Sequence, residues 1–375
     1  MINDKIIPVT SPLLPPLEEF MPYLQNIWDS KRITNNGQYH RELEQKLCDH
    51  LGVEFISLFT NGTFPLLAAL QALDIKGEVI TTPFSFAATT HSLILCGLKP
   101  VFADVDEKNG NLDPDKIEAA ITKNTTAIMP VHVYGTPCNT DLIRQIASKY
   151  GLKVIYDAAH AFGVEKNGKS VLSLGDISTL SFHATKTYNT AEGGALVCHN
   201  AEIKQKIDCY KNFGLSDEND VIMTGINGKM DEIRAALGIL NLKYVNQAIE
   251  KRKEISRLYR RELLNINGIT MFNNNDSGIK YNYSYFPVFI DKDEYGICRD
   301  ELNDKLKSYN IITRKYFYPL ISNFEPYKNI ESAKPSNLPI ASKLSQQVLC
   351  LPIYADLDFN VVNNIIQIIT ENSKK

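Results

Sequence analysis

The chain has 375 residues, enough for a large hydrophobic core and for two lobes of unequal size. Its 40 basic and 43 acidic residues give a net charge of -3, which argues against nucleic acid or an anionic membrane as the main partner, because both bind basic faces. A small anionic ligand needs only a local site and is compatible with this balance.

The seven cysteines are scattered, most of them in apolar segments such as LILCG and QVLCLP, and none forms a CxxC pair. Such cysteines are usually small core residues, so we expect neither a metal site nor a disulfide framework. The first residues lack a basic stretch followed by an apolar one, and no apolar run is long enough to span a bilayer. We therefore expect a soluble protein of the reducing cytoplasm.

From about residue 50 to residue 200, short β-like runs alternate with helix-like segments. The predicted strands are EVITT (78–82), KPVFADV (99–105), TAIMPVHV (126–133), KVIYDAA (153–159), STLSFHA (178–184) and GGALVC (193–198). Amphipathic segments at 113–121 and 139–151 lie between them, and the second has the Asn-Thr start and glycine end typical of a helix. This alternation predicts an α/β fold with a mostly parallel sheet buried on both faces.

The pattern changes after Gly228. Apolar residues recur at three- and four-residue spacing from Lys229 to Leu264, which predicts one long helix or two in line. Segments 281–290 and 311–317 and a closing helix near 360–372 indicate a smaller α+β lobe. We therefore place a large domain, with the N-terminal arm, at residues 1–255 and a small C-terminal domain at residues 256–375.

The segment TNGTFPLLAALQALD (60–74) places Gly62 and Thr63 at the start of an apolar helical pattern. Free backbone N–H groups and the helix dipole at such a start favour a phosphate, and the glycine allows a close approach of the backbone. The structural alternative is an ordinary threonine N-cap, which is common.

In the segment VIYDAAHAFG, a carboxylate follows the apolar residues VIY. Asp157 lies at the carboxyl end of this predicted strand, where open α/β sheets place their ligand chemistry. It could instead be the N-cap of a helix. His160, three residues later, could line the same site or be a buried histidine of the core.

A lysine follows the predicted strand in STLSFHATKTYNTAEGGALVC. Ser181 to Ala184 belong to the predicted strand and Lys186 lies just past it, near small residues that leave room for a flat ring. Burial lowers the pKa of a lysine, and its neutral amine can then form an imine with an aldehyde. The alternative is a surface lysine on a turn.

Together the three segments supply what pyridoxal 5'-phosphate requires. The aldehyde needs a lysine, the protonated ring nitrogen needs an aspartate, and the phosphate needs a helix N-terminus with hydroxyl groups. The segment TTPFSFAATTHS adds Phe84 and Phe86, either of which could stack on the ring. The joint occurrence of the three segments in this order is far more specific for the cofactor than any one of them.

These motifs resemble those of the DegT/DnrJ/EryC1/StrS family of sugar-nucleotide aminotransferases. The resemblance extends over nearly the whole chain, through ITNNGQYHRELEQKLCDHLG, TNGTFPLLAAL, TPFSFAATTHSLILCGLKPVFADVD, PVHVYG, VIYDAAHAFG, SFHATK, EGGALV, GINGKMDEIRAALGILNLKYV and TRKYFYPLIS. It implies the fold of type I pyridoxal phosphate transferases, like aspartate aminotransferase. That fold has a mostly parallel seven-stranded sheet flanked by helices and a smaller C-terminal α+β domain.

The resemblance also implies a role for each cofactor contact. The implied residues are Gly62, Thr63, Phe86, Asp157, His160, Ser181, Lys186 and Asn227. Lys186 would form the imine and carry the proton, and Asp157 would pair with the ring nitrogen. His160 stands where glutamine is frequent, near the ring hydroxyl. Asn227 would reach the phosphate from a neighbouring subunit, so the resemblance implies a homodimer with shared active sites.

The resemblance further implies transfer of an amino group from L-glutamate to a nucleotide-linked keto-sugar. Related dehydratases carry histidine in place of Lys186, so transamination is favoured. His183 and Glu192 match members that aminate the 4-keto group of 6-deoxy sugars, which favours dTDP-4-keto-6-deoxy-glucose as substrate, for O-antigen biosynthesis. Amination at the 3-keto position and a UDP-linked substrate remain alternatives. Arg314 and Tyr318 are further candidates for substrate contacts, or else structural residues.

Two other classes of protein are alternatives to an aminotransferase. A nicotinamide-dependent oxidoreductase on a Rossmann sheet would need a GxGxxG turn, and TNGTFP lacks that spacing. A non-catalytic regulator that keeps the fold would not need the lysine, the aspartate and the phosphate-binding segment together. Both classes fit the sequence less well than an aminotransferase does.

Overall fold

The computed structural model describes residues 5–217, 219–273 and 276–374. Its helices are α1 (Leu17–Ser30), α2 (Gln38–Leu51), α3 (Phe64–Ala72), α4 (Ala87–Leu95), α5 (Pro114–Ala120), α6 (Thr140–Tyr150), α7 (Ala201–Tyr210), α8 (Glu232–Leu263), α9 (Lys292–Tyr295), α10 (Arg299–Ser308), α11 (Pro339–Gln347) and α12 (Phe359–Glu371). Its strands are β1 (Phe55–Phe59), β2 (Glu78–Thr81), β3 (Lys99–Phe102), β4 (Thr125–Met129), β5 (Lys153–Asp157), β6 (Glu165–Lys166), β7 (Lys169–Ser170), β8 (Ile177–Ser181), β9 (Gly194–Cys198), β10 (Ile269–Thr270), β11 (Ile279–Lys280), β12 (Phe286–Ile290) and β13 (Val348–Leu351).

A seven-stranded sheet with the order β1-β9-β8-β5-β4-β2-β3 forms the centre of the larger lobe. Only β9 runs antiparallel to its neighbours, so β1, β2, β5 and β8 all end at the same edge. All six predicted strands are present, and the mostly parallel sheet is confirmed. The strand β1 was not predicted, because a short apolar run such as FISLF has no periodicity that distinguishes a strand from a buried helix.

The antiparallel β9 has a direct consequence for the site. It returns beside β8, so the connection 182–193 stays at the carboxyl edge of the parallel strands. That edge also carries the end of β5 and the loop after β1. The segments that the sequence singled out as separate motifs therefore meet at one place, where open α/β sheets bind ligands.

The long helix α8 links the two lobes. Its N-cap is Asp231, whose Oδ1 accepts a hydrogen bond of 2.9 Å from the Arg234 backbone N–H. Val245 and Ile249 pack in the core of the larger lobe, and Ile255 packs in the core of the smaller one. The point at which α8 passes from the core of the larger lobe to that of the smaller one lies close to the predicted boundary at residue 255. The helix is unbroken there. The division into two domains stays a prediction.

The smaller lobe is built on the antiparallel sheet β10-β12-β13. Segment 281–290 contributes β12, whereas segment 311–317 is irregular and makes isolated bridges through Ile311 and Arg314. The N-terminal arm, which we assigned to the large domain, bridges from Ile7 to Ile311, and the carbonyl of Val9 accepts from Ile353. None of the helices in the described part of the chain is long and apolar enough to cross a membrane.

A carboxylate from α8 caps the start of α2. Both oxygens of Glu232, which is 2% exposed, accept backbone hydrogen bonds, from Tyr39 at 2.8 Å and from His40 at 2.9 Å. Gly37 lies against this carboxylate, and a Cβ there would lie 2.4 Å from Glu232 Cδ. The glycine therefore makes room for the cap.

We expect Gly37→Ala to lower the free energy of unfolding by about 1–3 kcal/mol, because a displaced carboxylate leaves buried N–H groups unpaired. The shift of the urea midpoint measures this loss. In a Glu232→Ala background the same substitution should cost much less, since the methyl group then has space. An equal loss in both backgrounds would contradict the steric explanation.

Candidate active site

A cavity of about 310 Å³ opens at the carboxyl edge of the central sheet. Nine of the predicted site residues line it: Gly62, Thr63, Phe86, Asp157, His160, Ser181, His183, Lys186 and Glu192. They come from the ends of several strands and from the connection between β8 and β9. Asn227, Arg314 and Tyr318 do not line this cavity.

Asp157 ends β5 and is 5% exposed. Its Oδ2 accepts a 2.7 Å hydrogen bond from Thr89 Oγ1, and its Oδ1 accepts from the backbone N–H of Ala159 at 3.1 Å. Burial raises the pKa of this carboxyl, while the two donors and the nearby Lys186 oppose the rise. No helix begins here, so Asp157 is not an N-cap, and Thr89 is a partner that the sequence did not indicate.

Lys186 lies in the turn after β8, with its Nζ 5.8 Å from the centroid of the Tyr285 ring. Within the part of the chain that the structure describes, this Nζ makes no hydrogen bond or ion pair. Burial lowers the pKa of the amine to about 8, although Asp157 favours the charged form. Lys186 is therefore not an ordinary surface lysine, and a substantial fraction of it is a neutral nucleophile near pH 8.

This lowered pKa predicts the reactivity of Lys186 in the cofactor-free protein. Because only the neutral amine is acylated, labelling by acetic anhydride should rise with pH and reach its midpoint near 8. Free Nα-acetyl-lysine in the same solution should follow an ordinary pKa of about 10.4. Mass spectrometry of the Lys186 peptide gives the profile. In Asp157→Asn the midpoint should fall below that of the unchanged protein, and a midpoint above 10 would contradict the burial of Lys186.

His160 is a neutral imidazole in one tautomer. Its Nδ1 accepts from the backbone N–H of Tyr134 at 3.2 Å, so the ring proton is on Nε2. Burial and the nearby Lys186 hold the pKa of His160 well below its usual value. The ring lies parallel to those of Tyr134 and Phe317, with centroids 6.4 Å and 5.9 Å away. His160 can thus donate one hydrogen bond through Nε2.

The loop after β1 is held tightly against the end of β8. A Cβ at Gly62 would lie 2.8 Å from Ser181 Oγ, so only glycine fits this approach without displacement. Thr63 precedes α3, but its side chain makes no capping hydrogen bond. Asn61 caps the helix instead, since its Oδ1 accepts from Thr63 N at 2.9 Å and from Phe64 N at 3.0 Å. The Thr63 hydroxyl makes no hydrogen bond to the described residues and is therefore available to a ligand.

The two phenylalanines of TTPFSFAATTHS have different environments. Phe84 is fully buried and packs edge-on against Tyr134 and Phe317. Phe86 lines the cavity and is 64% exposed. Phe86 is thus the one of the two placed to cover a ring in the cavity.

His183 and Glu192 both line the cavity and lie side by side, with 3.6 Å between Nε2 and Oε1. The Nδ1 of His183 accepts from the backbone N–H of Thr185 at 3.2 Å, which leaves Nε2 to donate toward Glu192. The turn before Glu192 is constrained, because Ala191 has a φ of 64° and Thr190 Oγ1 donates to the Glu192 carbonyl at 2.8 Å. A left-handed alanine is costly, and such strain is often found at functional sites.

Asn227 is exposed and lies outside the cavity of its own chain. Its Oδ1 accepts a 3.1 Å hydrogen bond from Lys229 Nζ, and the same amine donates to Asn212 Oδ1 at 2.7 Å. Lys229 therefore fixes the orientation of the amide, with its NH₂ group turned to other acceptors. This placement is compatible with a contact to a second subunit.

The segment TRKYFYPLI reaches the site through residues other than the predicted ones. Arg314 and Tyr318 are exposed, and Tyr318 stacks with the Arg299 guanidinium at 4.6 Å. Tyr316 and Phe317 line the cavity instead. Tyr285, from the small lobe, completes an aromatic wall, and burial raises its pKa to about 12. The aromatic run YNYSYF was the available signal for Tyr285.

The donor set fits pyridoxal 5'-phosphate. The cavity holds the Lys186 amine, which has no hydrogen-bond or ion-pair partner among the described residues, one buried carboxylate and a neutral histidine donor. Gly62, which packs closely against Ser181, and the hydroxyls of Thr63 and Ser181 together form a small cradle for a phosphate at the N-terminus of α3. Among the described residues, no cluster of three or more His, Cys, Asp or Glu side chains could hold a metal ion.

A sequence model of the DegT/DnrJ/EryC1/StrS aminotransferase family matches residues 17–370. The chain belongs to this family. It is 52% identical over 368 residues to a dTDP-4-amino-4,6-dideoxy-D-glucose transaminase of Shigella dysenteriae, and the match covers 98% of this chain and 99% of the relative. A protein of the same name from Escherichia coli is 52% identical over 369 residues, with the same coverage.

Solved structures agree with this membership. DesI, in a crystal structure in the presence of its TDP-sugar product, superposes with a TM-score of 0.93 at 34% identity, over 98% of this chain and 93% of DesI. Helicobacter pylori PseC, an aminotransferase of pseudaminic acid biosynthesis, gives 0.91 at 27% identity, over 98% of this chain and 99% of PseC. The predicted fold class is confirmed. So is the prediction of a pyridoxal phosphate-dependent aminotransferase, which removes the oxidoreductase alternative.

Proposed function

We propose that this aminotransferase converts dTDP-4-keto-6-deoxy-glucose to dTDP-4-amino-4,6-dideoxy-glucose, with L-glutamate as amino donor. The observation that carries the reaction is the Lys186 amine, whose pKa is lowered to about 8 in a cavity shared with Asp157 and His160. The choice of sugar is supported by the 52% identity, over 98% of the chain, to enzymes named for that product.

Each residue has a distinct part in the proposed reaction. Bound pyridoxal phosphate supplies an aldehyde that condenses with amines and a protonated ring that withdraws electrons from the adjoining carbon. Lys186 would hold the cofactor through Nζ and, once displaced by a substrate amine, would move a proton from the α-carbon of the donor. Asp157 would keep the ring nitrogen protonated. His160 would donate from Nε2 to the ring hydroxyl.

The other cavity residues would bind and orient. Gly62, Thr63 and Ser181 would hold the phosphate, and Phe86 would cover the ring. The His183–Glu192 pair would contact the sugar, because a carboxylate accepts hydrogen bonds from sugar hydroxyls. Arg314 and Tyr318 would then serve the fold or the nucleotide rather than the reacting carbon.

We also propose a homodimer in which Asn227 donates to the phosphate of the neighbouring site. The segment that carries Asn227 exposes large apolar side chains, with Phe213 at 52%, Val221 at 64% and Ile222 at 56%. Exposed apolar clusters of this kind mark protein interfaces. Sedimentation velocity tests the proposal, and a monomer at micromolar concentration would contradict it.

The function is tested by incubating the cofactor-loaded protein with L-glutamate and dTDP-4-keto-6-deoxy-glucose. We expect a 4-amino sugar nucleotide with the gluco configuration, identified by NMR, together with an equal amount of 2-oxoglutarate. Parallel reactions contain the 3-keto isomer or a UDP-linked 4-keto sugar. Turnover of either substrate in preference to the dTDP-4-keto sugar, or a galacto product, would overturn the assignment.

A further inference from the structure

The residues Thr60, Asn61, Gly62 and Thr63, here called the phosphate loop, are fixed on several sides. On the side of the cavity, Ser181 lies against Gly62. The Oδ1 of Asn61 caps α3 by accepting hydrogen bonds from the backbone N–H groups of Thr63 and Phe64. Behind the loop, the Thr60 backbone N–H donates to the Gly228 carbonyl at 2.8 Å. The first residue of the loop is thus tied to the segment that precedes α8.

An arginine on the first turn of α8 binds the same residue. Arg234 Nη1 donates to Thr60 Oγ1 at 2.6 Å and to the Thr60 carbonyl at 3.3 Å. Its Nε lies 3.4 Å from Asp231 Oδ2. The guanidinium therefore spans from the N-cap of α8 to the phosphate loop, and it does not line the cavity.

This arrangement requires a guanidinium. Two groups of Thr60 and one carboxylate oxygen are bound from a single planar side chain, which offers several donors in a fixed geometry. A lysine ammonium at this position could reach only part of the set. The hydrogen bond to Thr60 Oγ1 also orients that hydroxyl, whose oxygen accepts from Arg234.

We propose that Arg234 is a positioning residue for the cofactor phosphate, acting through Thr60 on the phosphate loop. The proposal rests on the phosphate contacts proposed above for Gly62 and Thr63. Without the guanidinium, the Thr60 hydroxyl and carbonyl lose their bonds to Arg234, and among the described residues Thr60 keeps its backbone bond to Gly228. The Asn61 cap of α3 remains, so Gly62 and Thr63 stay in place but are held less rigidly relative to Ser181. The expected consequence is weaker binding of ligands that carry the phosphate, and not of those that lack it.

The chain contains a matched arginine for comparison. Arg144 pairs with Asp141 at the same i,i+3 spacing near the start of α6, with 3.9 Å between Nη2 and Oδ1. Its side chain is 72% exposed, and no residue of the cavity is its hydrogen-bonding partner in the described chain. Arg144→Ala therefore removes a similar surface ion pair without touching the loop.

The test measures dissociation constants on the cofactor-free protein, by the absorbance change of added pyridoxal phosphate and of pyridoxal, which has no phosphate. Arg234→Ala should weaken binding of pyridoxal phosphate by about tenfold, the size of one charge-assisted hydrogen bond, and change that of pyridoxal less than about twofold. Arg234→Lys should recover part of the loss, and Arg144→Ala should show none.

A second variant keeps the proposal testable if Arg234→Ala does not fold. Thr60→Val removes the acceptor hydroxyl at nearly constant volume and should give the same selective loss, whereas Thr60→Ser should bind normally. Equal losses for both ligands, or unchanged binding of pyridoxal phosphate, would overturn the proposal. Neither binding assay contains a sugar nucleotide. If the proposed sugar proved not to be the substrate, the result for Arg234 would therefore still stand.

Discussion

Replacing Lys186 by alanine is expected to reduce transamination by at least roughly 10²–10⁴-fold, the usual contribution of a placed proton-transfer group. The loss should exceed this range if the covalent link to the cofactor also matters, because the same amine provides both. Gly62, Thr63, Ser181 and Asp157 are untouched, so the protein should still bind pyridoxal phosphate.

Single-turnover assays with L-glutamate measure the rate, and equilibrium dialysis measures retention of the cofactor. Lys186→Arg is the matched control, since a guanidinium keeps the positive charge but offers no neutral amine at any accessible pH. It should be as inactive as Lys186→Ala. Near-normal turnover in either variant would show that Lys186 is not the proton carrier.

Asp157→Asn is expected to reduce the rate on the order of 10²–10³-fold, as loss of one preorganised electrostatic partner does in other enzymes. The amide has nearly the shape of the carboxylate, and Thr89 and Ala159 can still hydrogen-bond it. What is lost is the negative charge that would keep a proton on the ring nitrogen of the cofactor. The fold should therefore survive while the reaction slows.

The pH dependence of the bound cofactor's absorbance gives a readout independent of turnover, because it reports the pKa of the ring. Thr89→Val serves as the control, since it removes one hydrogen bond and leaves the charge. Thr89→Val should lower the rate by about tenfold or less, which corresponds to the loss of a single hydrogen bond. A rate within a few-fold of normal in Asp157→Asn would remove Asp157 from its proposed role.

Much of the fold could be predicted from the sequence. The six central strands, the helices at 113–121 and 139–151 and the long helix after Gly228 each have a strong local pattern or clear end signals. The segment 311–317 has a β-like composition, but in the structure it forms isolated bridges at Ile311 and Arg314 and no strand. Composition alone does not distinguish these two outcomes. The arm at residues 7–9 likewise joins a lobe that lies hundreds of residues away in sequence.

Within the site, the sequence determined which chemical groups are present and in what order. A lysine after one strand, an aspartate at the end of another and a glycine before an apolar helix were sufficient to indicate the cofactor. Each of these is a local feature, since it depends on a residue type at the end of one element.

Only the tertiary structure decided how these groups are partnered. It gave the α3 cap to Asn61 rather than Thr63 and brought Thr89 to Asp157. It also set the tautomer of His160 through a backbone N–H of Tyr134 and the contact of Arg234 with Thr60. These contacts join segments far apart in the chain, and their geometry depends on packing that no local pattern encodes.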